Sequence, residues 1–327
     1  MEKDFFKYQA QTTPHPLALE VLKAKGSYIY DQNQKKYLDF IAGVYACSLG
    51  HCHPKVVKAV KNQLDKYLHV MVYGEFVQEP AVHLTKLLHD HLPDNLTTTY
   101  LTNSGTEAIE GAIKLARRAT ERKEIIYAKK AYHGSTLGAL SILGVESQKQ
   151  KFKPLIPECN AIEFNAESEL LKITNKTAGV ILETIQGGAG FIVQKSNYLK
   201  KVKKRCEEVG ALLILDEIQT GIGRTGKFWG FEHYGITPDI IITGKGLGGG
   251  MPIGAFIAEK KIMDLLKENP TLGHITTFGG HPVISSAGVA TVETILDSKL
   301  IKETLEKEAL IRKLLIHPKI KEIRGKG

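Results

Sequence analysis

The sequence predicts an α/β protein built on a largely parallel sheet, and two observations carry that expectation. Short apolar, β-branched runs recur with helical patterns between them, which is the signature of crossover units. Residues able to do chemistry stand where several of those runs end, the edge at which open α/β sheets bind ligands. The runs are Thr97 to Thr102, Glu124 to Ala128, Ala178 to Leu182, Ala211 to Leu215, Ile240 to Thr243 and Ile253 to Ala258. At 327 residues the chain can bury a substantial core and is about the size of two domains, or of one large domain with a satellite.

The first segment has a different pattern. Gly26 to Asp31 and Tyr37 to Phe40 read as short antiparallel strands around a polar turn, so residues 1–54 are expected to form part of a small domain. Residues 55–285 would form the large domain. Residues 286–327, two helical stretches and a loop, would begin a C-terminal small domain. The N-terminus MEKDFFKYQAQTTPHP carries early acids and no apolar core, which reads as cytoplasmic. On that reading the Asn95 and Asn175 sequons are chance matches. No apolar run approaches the roughly 20 residues of a membrane-spanning helix. The net charge of +9 comes from 44 basic and 35 acidic residues without a long single-sign block, so a solvated surface is expected and not a nucleic-acid site. Cys47, His51, Cys52 and His53 crowd one loop too closely to converge on a metal, and no second ligand pair follows, so no metal is expected.

Along the large domain, Thr102-Asn-Ser104-Gly105-Thr106-Glu107 joins a strand to an amphipathic helix, Ala108 to Arg118. Free N–H groups and the positive helix end make such a junction an anion site, although a plain helix cap would look the same. A second strand end supplies Ala131-Tyr132-His133-Gly134, whose aromatic ring can stack on a flat ligand. Ser196 is placed to cap a helix with Leu199, Val202, Cys206 and Val209 on one face, and Gly210 ends it. The apolar run Ala211 to Leu215 then delivers Asp216, a carboxylate that needs a cationic partner such as a protonated ring nitrogen.

Gly221-Ile-Gly223-Arg-Thr-Gly226 matches a dinucleotide fingerprint but is displaced from its strand and not followed by a helical period, which excludes that use. Lys245 follows the next apolar strand among five glycines, and a desolvated amine there becomes nucleophilic. Gly246 excludes a Walker lysine, which Ser or Thr must follow. Together an anion site, a stacking ring, a strand-end carboxylate and a cradled lysine describe pyridoxal 5'-phosphate as cofactor.

Asp216-Glu-Ile-Gln219-Thr-Gly-Ile-Gly-Arg-Thr-Gly, followed by Gly244-Lys245-Gly-Leu-Gly-Gly-Gly-Met-Pro, resembles the class III aminotransferase pattern. Gly50-His-Cys-His-Pro54, Asn103 to Glu107, Tyr132-His-Gly, Glu183-Thr-Ile-Gln-Gly and Thr276-Thr-Phe-Gly-Gly-His-Pro282 fall in the same order as in that family. The resemblance covers almost the whole chain. It implies a fold-type I enzyme with a seven-stranded, mostly parallel sheet, acting as a homodimer with shared active sites. Ser104, Gly105 and Thr106 would hold the phosphate with Thr277 of the partner subunit. Tyr132 would stack on the ring, Asp216 would pair with its nitrogen, Gln219 would meet its hydroxyl, and His133 and Glu183 would complete the cofactor shell. Lys245 would carry the Schiff base. The implied reaction moves an amino group from an amino donor to a 2-oxo acid such as 2-oxoglutarate or pyruvate, with ping-pong kinetics through pyridoxamine phosphate.

Two departures concern the substrate. The ornithine, acetylornithine and 4-aminobutyrate enzymes carry a carboxylate-binding Arg where this chain has Ser135, and a Glu where it has Gly188. An ornithine- or acetylornithine-like donor is expected from general similarity, with an ω-aminotransferase of other specificity as its rival. An aminomutase or decarboxylase would use the same cofactor residues. Tyr28, Tyr45, Ser135 and Gly188 are the candidate substrate-pocket positions. The family's chain continues beyond the motif matching Arg324-Gly-Lys-Gly327, so the C-terminal small domain is expected to be incomplete here.

Overall fold

The computed structural model describes residues 1–195 and 197–327. Ser196, expected to cap a helix, lies outside the described residues. The first strands, β1 (Val21–Lys25), β2 (Tyr28–Asp31) and β3 (Lys36–Leu38), pair antiparallel in that order. Two of them match the expected segments. The polar turn between β2 and β3 is held by Asp31, whose Oδ1 accepts from the Asn33 and Lys35 N–H groups at 2.9 Å each.

The main sheet uses β4 (Thr98–Thr102), β5 (Glu124–Ala128), β6 (Cys159–Ile162), β7 (Thr177–Glu183), β10 (Leu212–Asp216), β11 (Ile240–Gly244) and β12 (Gly254–Ala258). A two-residue ladder, β8 (Ile185–Gln186) with β9 (Ile192–Val193), stands apart. The order across the sheet is β4-β12-β11-β10-β7-β5-β6. Its other neighbours run parallel, but β12 is antiparallel to both β11 and β4. Only residues 245–253 separate β11 from β12. A parallel return needs a crossover of a dozen or more residues, so this short glycine-rich link forces the chain to reverse. β6, which the apolar pattern did not reveal, is one of the two edge strands and carries a polar Asn160.

Strand alternation feeds two layers. Ile125, Ile181, Ile214, Ile242 and Phe256 face one side, against Ala108, Ile109, Ala112, Leu115 and Ala116 of the helix Gly105–Thr120. Gly111 lets that helix approach, because a Cβ there would lie 2.3 Å from the Phe256 ring. Ile126, Val180, Leu182, Leu213 and Leu215 face the other side, with Leu84, Leu88, Leu199, Val202, Trp229 and Val292. Each fully buried aliphatic side chain contributes roughly 1.5–3 kcal/mol. The helix Tyr198–Val209 ends at Gly210 in the left-handed conformation (φ 71°), as its sequence implied. The helix Pro282–Leu296 is buried along most of its length and packs on the helices Pro54–Leu64 and Glu79–His89. No described helix is long and apolar enough to cross a membrane.

Candidate active site

The carboxyl ends of β4, β5, β7, β10 and β11 open on a cleft of about 500 Å³. Gly105, Thr106, Tyr132, His133, Ser135, Glu183, Gly188, Asp216, Gln219, Lys245 and Tyr45 all line it. These residues come from segments up to about 200 positions apart, and the parallel strands bring their ends together.

At the end of β4, Ser104 caps the helix Gly105–Thr120, its Oγ accepting from the Glu107 N–H at 3.3 Å. The helix therefore begins three residues before the apolar period that revealed it. The Glu107 side chain reaches past Ser104, its Oε2 accepting from the Asn103 N–H at 2.6 Å. The N–H groups of Gly105 and Thr106 have no partner among the described residues, so the positive end of a 16-residue helix opens into the cleft. Gly134 lies against it at φ 129°, where a Cβ would meet Thr106 Oγ1 at 2.2 Å.

Asp216 and His133 form the floor. Their side chains are 5% and 0% exposed, with His133 Nδ1 2.7 Å from Asp216 Oδ2. Asp216 Oδ1 accepts from the Ile218 N–H at 2.9 Å. Burial presses the imidazole pKa down, but the bond to Asp216 and its charge outweigh that and leave it raised. His133 Nε2 is buried without a partner among the described residues. Glu183 lies next to this pair and accepts from the Tyr132 N–H at 3.3 Å and the Gly187 N–H at 3.1 Å. Burial pushes its carboxyl up to about 7, against the pull of His133.

Lys245 follows β11 in the left-handed region, φ 43°, which costs a non-glycine residue of order 1 kcal/mol. Its amine is lowered from the ordinary lysine value by burial, despite the carboxylates of Asp216 and Glu183, and the Arg224 charge lowers it further. Its Nζ is 5.9 Å from the centre of the Tyr45 ring. Gln219 packs over Gly187, where a Cβ would fall 2.2 Å from its Oε1. The half-exposed Tyr132 ring flanks the opening, its hydroxyl 3.4 Å from Ser135 Oγ.

Three expected residues are absent from the cleft wall, and of these Ser104 adjoins it as the cap of the helix whose Gly105 and Thr106 line it. Tyr28 lies in β2 beneath the Lys36 ammonium, 3.5 Å from its ring centre, and is absent from the cleft wall. Thr277 is exposed on a separate loop. Arg224, within the segment Gly221–Gly226, holds the N-terminal segment. Its Nη2 donates to Tyr45 O at 2.6 Å and to Ser48 Oγ at 2.9 Å. That link spans 179 positions, and no local pattern announces it.

The donor set fits pyridoxal phosphate: unpartnered helix N–H groups for a phosphate, a flanking aromatic ring, a buried carboxylate for a ring nitrogen and a desolvated amine for the aldehyde carbon. Comparison with known proteins agrees. The model of the aminotransferase class-III family matches residues 8–327. The chain belongs to the class III aminotransferases.

The acetylornithine aminotransferase of Bacillus subtilis is 40% identical over 316 residues, covering 94% of this chain and 80% of that protein. That of Methanopyrus kandleri is 37% identical over 325 residues, covering 98% and 82%. A [LysW]-aminoadipate semialdehyde/glutamate semialdehyde transaminase of Sulfolobus acidocaldarius is 36% identical, covering 94% and 80%. Among solved structures, the ornithine aminotransferase from Toxoplasma gondii superposes with a TM-score of 0.90 at 32% identity, covering all of this chain and 80% of that one. A second structure of that enzyme is described with partial occupancy of pyridoxal phosphate at its active site. This class III aminotransferase is accordingly a pyridoxal-phosphate-dependent enzyme of amino-group transfer, with an amino donor and a 2-oxo acid as its substrates. Its fold is the mostly parallel seven-stranded type that the sequence predicted.

Proposed function

We propose that the cleft at Lys245 transfers the amino group of an ornithine- or acetylornithine-like donor to a 2-oxo acid. The observation that carries this reading is the desolvated Lys245 amine in one cleft with the buried Asp216–His133 pair. Pyridoxal phosphate, when bound, supplies an electron sink for the carbanion left at the amino-bearing carbon. The protein's own groups do the rest. The Lys245 Nζ would hold the cofactor's aldehyde carbon and, as a desolvated amine in the cleft, would move a proton at the substrate carbon. Asp216 keeps a proton on the ring nitrogen, and His133 fixes the carboxylate that does so. Gly105 and Thr106 N–H groups and the Ser104 hydroxyl would hold the phosphate, Tyr132 would cover the ring, and Gln219 would meet its hydroxyl. Glu183 holds the Tyr132 and Gly187 backbone in place.

The relatives named for acetylornithine support the donor class. Ser135 and Gly188 favour a second reading, an ω-aminotransferase whose donor is not gripped by the usual Arg and Glu. In support, an (S)-enantioselective ω-transaminase from Thermomicrobium roseum superposes with a TM-score of 0.91 at 27% identity. The exposed position of Thr277 accords with a homodimer in which it reaches the partner's phosphate. Borohydride treatment of the loaded enzyme is expected to fix the cofactor on Lys245, and mass mapping to another lysine would sink the mechanism. A panel of N-acetylornithine, ornithine, 4-aminobutyrate and simple amines, each with pyruvate and with 2-oxoglutarate, decides the donor. Turnover of simple amines alone would favour the second reading. Product without a free oxo acid from the donor would point instead to an aminomutase or decarboxylase.

A further inference from the structure

The loop that carries Tyr132 and Ser135 is fastened to the phosphate-facing helix by a contact network that the reaction described above does not use. Thr106 and Glu110 lie one turn apart on the same face of the helix Gly105–Thr120. Gly134 sits against the first and Gly138 against the second, since a Cβ would fall 2.2 Å from Thr106 Oγ1 and 2.1 Å from Glu110 Oε2. Glu110 Oε1 accepts three hydrogen bonds, from Thr136 Oγ1 at 2.5 Å, the Gly138 N–H at 2.8 Å and the Ala139 N–H at 3.2 Å. It thereby caps the helix Leu137–Ser141 from outside, where Thr136 at the N-cap makes no side-chain cap of its own.

Proton counting fixes the direction of the remaining bond. Two backbone N–H groups already donate to Glu110 Oε1, so that oxygen carries no proton of its own and must accept from Thr136. The single hydroxyl proton of Thr136 is committed to it. Thr136 Oγ1 also lies 2.8 Å from Thr106 Oγ1, and in that contact Thr106 must be the donor. Thr106 Oγ1 in turn accepts from the Thr136 N–H at 3.4 Å. The Thr106 hydroxyl is therefore turned toward the loop, and only its backbone N–H remains for an anion in the cleft.

We propose that Glu110 is a positioning residue that locks the 132–138 loop onto the first turn of the phosphate-binding helix. Through Thr136 it aims the Thr106 hydroxyl away from the ligand, leaving the phosphate to backbone N–H groups and Ser104. This rests on the reading that the cleft binds pyridoxal phosphate. Glu110 touches neither cofactor nor substrate, and it acts by holding Thr106 and the Tyr132 loop in register.

The test is a double-mutant cycle of Glu110→Ala and Thr106→Val, with Glu110→Gln as the conservative variant. Affinity of the apoprotein for pyridoxal phosphate and for inorganic phosphate is read by fluorescence, beside the thermal unfolding midpoint. Each single change is expected to weaken both ligands about tenfold, as removal of an orienting partner commonly does. The double variant should be no worse than either, because both break one linkage. Glu110→Gln, which keeps an accepting oxygen, should recover most of the affinity and remains informative if the alanine variant fails to fold. Multiplying losses in the double variant would mean that the Thr106 hydroxyl binds the phosphate directly, which overturns the proposal. A lowered midpoint with unchanged affinities would reduce Glu110 to a helix cap and also overturn it. Failure of the unmutated protein to bind pyridoxal phosphate would sink the underlying reading and this one with it, whereas the first two results sink this one alone.

Discussion

Asp216 and Glu217 are adjacent at the end of β10, both almost fully buried, and they serve opposite sides of the same strand. Asp216 faces the cleft and keeps few protein partners: His133 on one oxygen and the Ile218 N–H on the other. Glu217 faces the interior and spends its capacity there. One oxygen accepts from the Thr184 hydroxyl and the Phe231 N–H, and the other from the Thr220 hydroxyl and the Gly230 N–H. A carboxylate whose acceptor sites are filled by its own chain clamps a loop, here the segment from 217 to 231. One left with spare capacity, in a cleft beside a desolvated amine, is available to a ligand. Proximity in sequence therefore says little about role, and the direction of the side chain says most of it.

The largest effect that would sharpen this contrast is on turnover. Asp216→Asn keeps the shape but removes the charge, and kcat is expected to fall about 10²- to 10⁴-fold, the span of a lost acid–base partner. Steady-state kinetics would check it, and near-normal turnover would break the contrast. Glu217→Ala is expected to do the reverse, costing about 3 kcal/mol or more of unfolding free energy because four buried donors lose their acceptor. Denaturant titration reads the loss, while the molecules that remain folded should turn over within a few-fold of the parent. A smaller disturbance on the same side is Gly230→Ala, which puts a methyl 3.0 Å from Glu217 Oε2 and should cost roughly 1 kcal/mol by the same titration.

The same contrast explains what could be seen in the sequence. Asp216, Lys245 and Ser104 were legible because each follows the end of a strand-like run, and Lys245 and Ser104 also adjoin glycine, so that chain direction and ligand access are set locally. Six of the seven main-sheet strands showed themselves in the same way. β6 did not, since an edge strand needs no continuous apolar run and Cys-Asn-Ala-Ile offers none. The partners of the site residues were hidden for another reason. His133 meets Asp216 across 83 positions, and Arg224 meets Tyr45 across 179, contacts that only the folded chain creates. Tyr28 shows the converse, a candidate pocket residue in β2 whose ring lies against Lys36.

The most delicate test concerns pH. Burial pushes the Glu217 carboxyl from 4.5 up to about 7, although four hydrogen bonds oppose it, and burial moves Glu183 to about 7 as well. For a carboxyl raised on folding, the native state retains a proton that the unfolded chain has already lost, which at Glu217 requires the Thr184 or Thr220 hydroxyl to turn and accept it. Its contribution to stability is therefore fully present below about pH 4.5 and is lost as pH rises through about 7. Unfolding free energy measured in denaturant should decline across that window, by no more than about 1.4 kcal/mol per pH unit for each proton. Glu217→Gln should flatten the decline by its own share. That share should be the same with and without pyridoxal phosphate, because Glu217 faces away from the cleft. The part belonging to Glu183 should change when the cofactor is added. Parallel curves for the Gln variant and the parent would show that Glu217 stays ionised across the window, and that its four donors outweigh its burial.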